Sequence, residues 1–106
     1  MSTLSNQLRK ARKSAGFTLQ KVSNELGVDV AILSKMERGL RPVSQEQLKS
    51  LCHLYQIDHH HLLKLKTAEQ ILQILNYSED SLQILKLAEQ EVTYQTSRKK
   101  TESKNH

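Results

Sequence analysis

The sequence predicts an all-α fold. Three observations carry this: the 106 residues hold only 3 Gly and 1 Pro, apolar residues recur at helical spacing, and a capping residue precedes most apolar runs. So few breakers favour helices joined by short turns and exclude a many-stranded β fold. One hundred and six residues suffice for a single small core.

Each element follows from its residues. A first helix runs from about Leu4 to Ser14 on Leu4, Leu8, Ala11 and Ala15, and Gly16 stops it. Thr18 is a helix N-cap ahead of Leu19, Val22 and Leu26, and Gly27 ends that run. Asp29 caps a third helix carrying Val30, Ile32, Leu33 and Met36, which stops at Gly39. Pro42 lies in the following loop. Ser44 and Gln47 form a capping box for a fourth helix with Leu48, Leu51, Cys52 and Tyr55 on one face. Asp58 opens a short fifth helix containing Leu62, Leu63 and Leu65.

Beyond Lys66 two additional C-terminal helices are expected. Ala68, Ile71, Leu72 and Leu75 mark the first, widened by Ile74. After a turn at Asn76 to Ser78, Leu82, Leu85, Ala88 and Val92 mark the second, widened by Ile84 and Leu87. From Arg98 onward nothing apolar remains, so residues 98–106 read as a disordered basic tail. The expected organisation is a domain over 1–66, a helical extension over 67–97 and that tail.

Charge is unevenly placed. Residues 1–41 hold eight Lys/Arg against three Asp/Glu (+5), residues 42–97 four against seven (−3), and residues 98–106 four against one (+3). A basic first part beside an acidic helical part suits a polyanion-binding face joined to a protein-facing body. No run reaches the roughly 18 apolar residues of a membrane span, and no charged-then-apolar leader is seen. The lone Cys52 fits a reducing compartment. The expectation is a cytoplasmic protein with no membrane partner.

The stretch Thr18 to Gly39 carries the function. A DNA-reading helix pair needs a small residue where its helices touch, a turn glycine free to take positive φ, and apolar residues at fixed inward positions. Ser23, Gly27, and the set Val22, Leu26, Val28, Leu33 and Met36 meet these demands in register. Together with Leu-Arg-Lys-Ala-Arg-Lys-Ser-Ala-Gly-Phe-Thr, Glu-Leu-Gly-Val-Asp, Leu-Ser-Lys-Met-Glu-Arg-Gly and Arg-Pro-Val-Ser-Gln-Glu-Gln-Leu, they make residues Leu8 to Leu65 resemble the Cro/C1-type (XRE) helix-turn-helix family. The resemblance implies the five-helix, lambda repressor-like fold, transcriptional control, and dimers on palindromic operators. The chain departs from the family at Leu19, where a phosphate-binding Gln is usual, and at Val30 and Ala31, where polar residues are usual.

With Leu33 and Met36 inward, Val30, Ala31, Ser34 and Lys35 face outward as the base-reading set. Lys35 suits guanine O6/N7, Ser34 a base or phosphate, and Val30 and Ala31 the methyl groups of thymine. Thr18, Gln20, Lys21, Arg38 and Arg41, with Arg9 and Arg12 on the rim, are the phosphate set. Glu37 is expected to pair with an arginine, because phosphates repel a carboxylate.

Other signals are weaker. Adjacent helical residues point about 100° apart, so His59, His60 and His61 do not converge on a metal. Cys52 reads as a small core residue. No phosphate loop, nucleophile–base pair or catalytic carboxylate pair is seen, so no enzyme, cofactor or small-molecule ligand is expected. Ile71, Leu72, Leu75, Leu82, Leu85 and Val92 are read as a homodimer interface. Within the resembling family, a restriction–modification controller is the favoured type, with RNA polymerase as a further partner. The alternative is an antitoxin-type autoregulator whose C-terminal helices bind another protein.

Overall fold

The computed structural model describes residues 3–104, with side chains through residue 99. The described chain is all-helical: α1 (Thr3–Ser14), α2 (Leu19–Leu26), α3 (Val30–Glu37), α4 (Gln45–Tyr55), α5 (His59–Leu75) and α6 (Ser81–Lys104). The first four follow the residues that start and stop helices. Thr18 and Asp29 each accept a backbone N–H at the start of α2 and α3, and Ser44 with Gln47 closes a reciprocal capping box on α4. α4 ends at Gln56, which takes a left-handed φ of 57° without being glycine.

Two compact units divide within α5, residues 1–70 and 71–106. The core of the first gathers Leu4 and Leu8 of α1, Val22 of α2, Leu33 and Met36 of α3, Val43, Leu48, Leu51, Cys52 and Tyr55 around α4, and Leu62 of α5. Phe17 packs its ring 6.0 Å from that of Tyr55. Cys52 is buried here as a core residue, and that burial, then the charge of Asp58, pushes its thiol pKa up. α1 has no acidic residue in its own first turn. Glu69 of α5 supplies one, accepting the Leu4 N–H at 2.8 Å.

Three features differ from the sequence expectation. α5 does not stop near Lys66: the expected fifth helix and first additional helix are one 17-residue helix. No Gly, Pro or Asn interrupts residues 59–75, and Thr67 turns its hydroxyl back onto the Leu63 carbonyl at 3.0 Å, so nothing ends the hydrogen-bond ladder. At the other end, α6 continues as helix through Lys104, over most of the stretch expected to be a disordered tail. Arg, Lys and Glu extend an existing helix at little cost, and cations in the last turns complement its dipole. Residues 105–106 of that tail lie outside the described residues. The third concerns Leu75, which is 8% exposed and so is not part of a free surface.

Candidate nucleic-acid interface

α2, the turn at Gly27 to Asp29, and α3 form the site. Gly27 takes φ 67°, and its N–H closes α2 onto the Ser23 carbonyl at 2.8 Å. That left-handed residue turns the chain sharply enough for α3 to start three residues later, where Asp29 Oδ1 accepts the Ala31 N–H at 2.8 Å. Val22 at the back of α2, and Leu33 and Met36 at the back of α3, are buried; Leu26, Val28 and Ile32 pack half-buried against them.

This anchoring decides what α3 presents. Ala31, Lys35 and Arg38 are exposed, and Val30 and Ser34 are half-buried at the edges of the same face. Arg38 Nε donates to the Ser34 carbonyl at 3.3 Å, which holds its guanidinium along the end of α3. Arg41 and Arg9 are exposed.

At the start of α2, Thr18 Oγ1 accepts the Lys21 N–H at 3.1 Å, leaving its hydroxyl proton free to donate outward. Gln20 donates to Asn24 at 3.0 Å, and Lys21 lies 3.3 Å from Glu25 in an exposed i,i+4 pair. Pairs of this exposure are worth a few tenths of a kcal/mol, roughly 0.3–0.5, so a phosphate can outcompete the carboxylate for Lys21. Leu19 turns inward and packs against the core, which accounts for an apolar residue at that place.

Arg12 leaves the phosphate set. Its Nε and Nη2 donate to the two carboxylate oxygens of Glu37 at 2.7 and 3.0 Å, and Nη1 donates to the Phe17 carbonyl at 2.8 Å. Both side chains are 11% exposed. The hydrogen bonds to Glu37 raise the Arg12 pKa further, against the opposing effect of burial. The expected arginine partner of Glu37 is therefore Arg12, and the pair ties α1 to the last turn of α3.

One residue beside the site is not among the sequence candidates. Leu40 follows Gly39 between Arg38 and Arg41 and is 67% exposed. Its signal in the sequence is an apolar residue inside a basic loop with no periodic partner.

A helix pair braced from behind, with a capped turn and a basic outer face, defines a DNA-binding helix-turn-helix protein. Comparison with known proteins agrees: the profile of the family described as "Helix-turn-helix domain" matches residues 3–65. The chain belongs to this family, in its XRE-like, Cro/C1 type. It is similar to the transcriptional regulator ClgR of Mycobacterium tuberculosis, 42% identical over 50 residues that cover 47% of this chain and 45% of ClgR. It is also similar to a glutamine–fructose-6-phosphate aminotransferase (isomerizing) of Methanocaldococcus jannaschii, 40% identical over 57 residues, 53% of this chain and 5% of that protein. The chain thus spans less than half of either relative's length. No solved structure matches it. Among the described residues, no helix is long and apolar enough to cross a membrane.

Proposed function

We propose that the protein is a sequence-specific transcriptional regulator that occupies a palindromic operator as a homodimer. The observation that carries this reading is the outer face of α3, where Ala31, Lys35 and Arg38 stand clear while Leu33 and Met36 fix the helix from behind. Lys35 donates to guanine, Ser34 serves a base or a phosphate, and Val30 and Ala31 take thymine methyl groups. Thr18, Gln20, Lys21, Arg9, Arg38 and Arg41 set the register on the phosphates. The relative named as a transcriptional regulator supports the reading over the matched segment.

A single α3 reads too few base pairs to discriminate, so two copies place their α3 helices about 34 Å apart, one turn of DNA. Ile71, Leu72, Leu82, Leu85 and Val92, all exposed, form the pairing surface. RNA polymerase becomes a neighbour wherever the operator adjoins a promoter. The narrower reading is a restriction–modification controller, whose operator would lie upstream of its own gene.

Footprinting on the DNA upstream of that gene is the test. A protected palindrome, bound roughly 10³-fold more tightly than random duplex at physiological salt, is the expected result; equal affinity for both overturns the reading. The second reading, an antitoxin-type autoregulator, draws on the same exposed leucines. It predicts a chain that is recovered with a different protein, or that aggregates when isolated.

A further inference from the structure

The second unit, residues 71–106, has almost no interior. Among the described side chains, only Leu75 of this unit is a buried apolar residue, and every large exposed apolar residue except Leu40 lies in it. One buried leucine does not offset the entropy of ordering two helical segments, so this unit folds against a covering surface. α6 alone, with 24 residues, is about 36 Å long.

Charge identifies the cover. Residues 79–92 carry Glu79, Asp80, Glu89 and Glu91 against Lys86 (−3), whereas residues 98–104 carry Arg98, Lys99, Lys100 and Lys104 against Glu102 (+3). A helix entered through the acidic turn residues Glu79 and Asp80 and ending in basic residues complements a second copy of itself running in the opposite direction. A parallel copy sets acid on acid and base on base.

The apolar stripe has the same self-complementarity. Leu82, Leu85, Ala88 and Val92 follow one face of α6, and Ala88, the smallest of them, permits the closest approach of two helices. With the two-fold axis beside Ala88, Leu85 meets Val92 of the partner subunit, and the same register brings Glu79 within about one helical turn of the partner subunit's Lys99.

We infer that two copies of the chain pair through α6 helices running antiparallel and crossing at Ala88, with the acidic turn that leads into each α6 against the basic end of the other. This rests on the homodimer of the proposed function and deepens it by naming the interface and its polarity.

Disulfide trapping of the full chain tests it, Cys52 being buried and out of reach. A mixture of Leu85→Cys and Val92→Cys chains should cross-link across the pair. Either chain alone should not, because its own cysteines lie about seven residues, roughly 10 Å, apart along the axis. Cross-linking of Leu85→Cys to itself means a parallel pair or an antiparallel crossing at Leu85, and a dimer by mass that never cross-links in the mixture means an interface elsewhere; each overturns the inference and leaves the homodimer standing. A monomeric wild-type chain overturns both.

Charge exchange is the second arm. Glu79→Lys with Asp80→Lys, or Arg98→Glu with Lys99→Glu, should each weaken dimerisation about tenfold at low salt. The fourfold variant should return to within about threefold of the original. Failure of that recovery overturns the polarity.

Discussion

Arg12 and Glu37 meet through two parallel hydrogen bonds, of 2.7 and 3.0 Å, across 25 residues of chain. Their ion pair fixes the end of the DNA-reading helix α3 to α1 in a largely water-free site. Planar guanidinium matched to planar carboxylate gives direction as well as attraction, so the pair restrains the rotation of α3 about its axis.

Removing one partner leaves the other charge without compensation. Glu37→Ala should lower unfolding stability by about 3 kcal/mol, measured by urea titration. Arg12→Met combined with Glu37→Leu should recover most of that loss, because no charge then remains buried. A single-variant loss under about 0.5 kcal/mol would show the pair to be effectively solvated.

Gly27 tests the turn. A Cβ built there meets nothing within 4 Å, so any penalty comes from φ 67° and not from crowding. Gly27→Ala should cost about 1–2 kcal/mol in thermal unfolding. Gly27→Asn should cost less, since asparagine tolerates the left-handed region better.

The DNA-facing residues divide by what they contact. Lys35→Ala should relax preference at one base position, at a cost of about 1–3 kcal/mol for the preferred base, seen in a binding-site selection. Arg41→Ala should weaken all sequences alike and reduce the slope of log affinity against log salt by about one. Replacing thymine by deoxyuridine in the half-site should weaken binding where Val30 and Ala31 lie. An unchanged preference after Lys35→Ala would place the reading face elsewhere.

Tyr55 reports on alkaline unfolding. Burial, then the charge of Glu37, pushes its phenol up to about 12, against the opposing effect of Arg12. A folded pKa raised above the ordinary value of about 10 contributes stability fully present below that pH and lost as pH climbs toward the folded pKa. Ultraviolet titration should show a tyrosine that ionises near pH 12 as the fold is lost, and Tyr55→Phe should remove that phase.

The helix pair was legible because each of its needs falls on a residue type with few alternatives: Thr18 and Asp29 as caps, Gly27 for positive φ, and Leu33 and Met36 inward. The course of α5 was not, since turn composition marks where helices stop but two adjoining apolar stripes look the same with or without a break at Lys66. The role of Arg12 was hidden for another reason. Its partner lies 25 residues away, and a basic residue on α1 reads as surface until the tertiary fold brings Glu37 to it. Leu75 shares the periodicity of Ile71 and Leu72, yet it alone is covered: spacing says which residues share a face, not which of them the chain itself conceals.

The bond from Leu4 N–H to Glu69 spans 65 residues, from the first turn of α1 to the middle of α5. During synthesis α1, α2 and α3 leave the ribosome well before Glu69 does. The first turn of α1, made before α5, therefore waits for that later helix to complete it. A nascent chain arrested short of residue 69 carries the whole DNA-reading pair with the first turn of α1 still uncapped by Glu69.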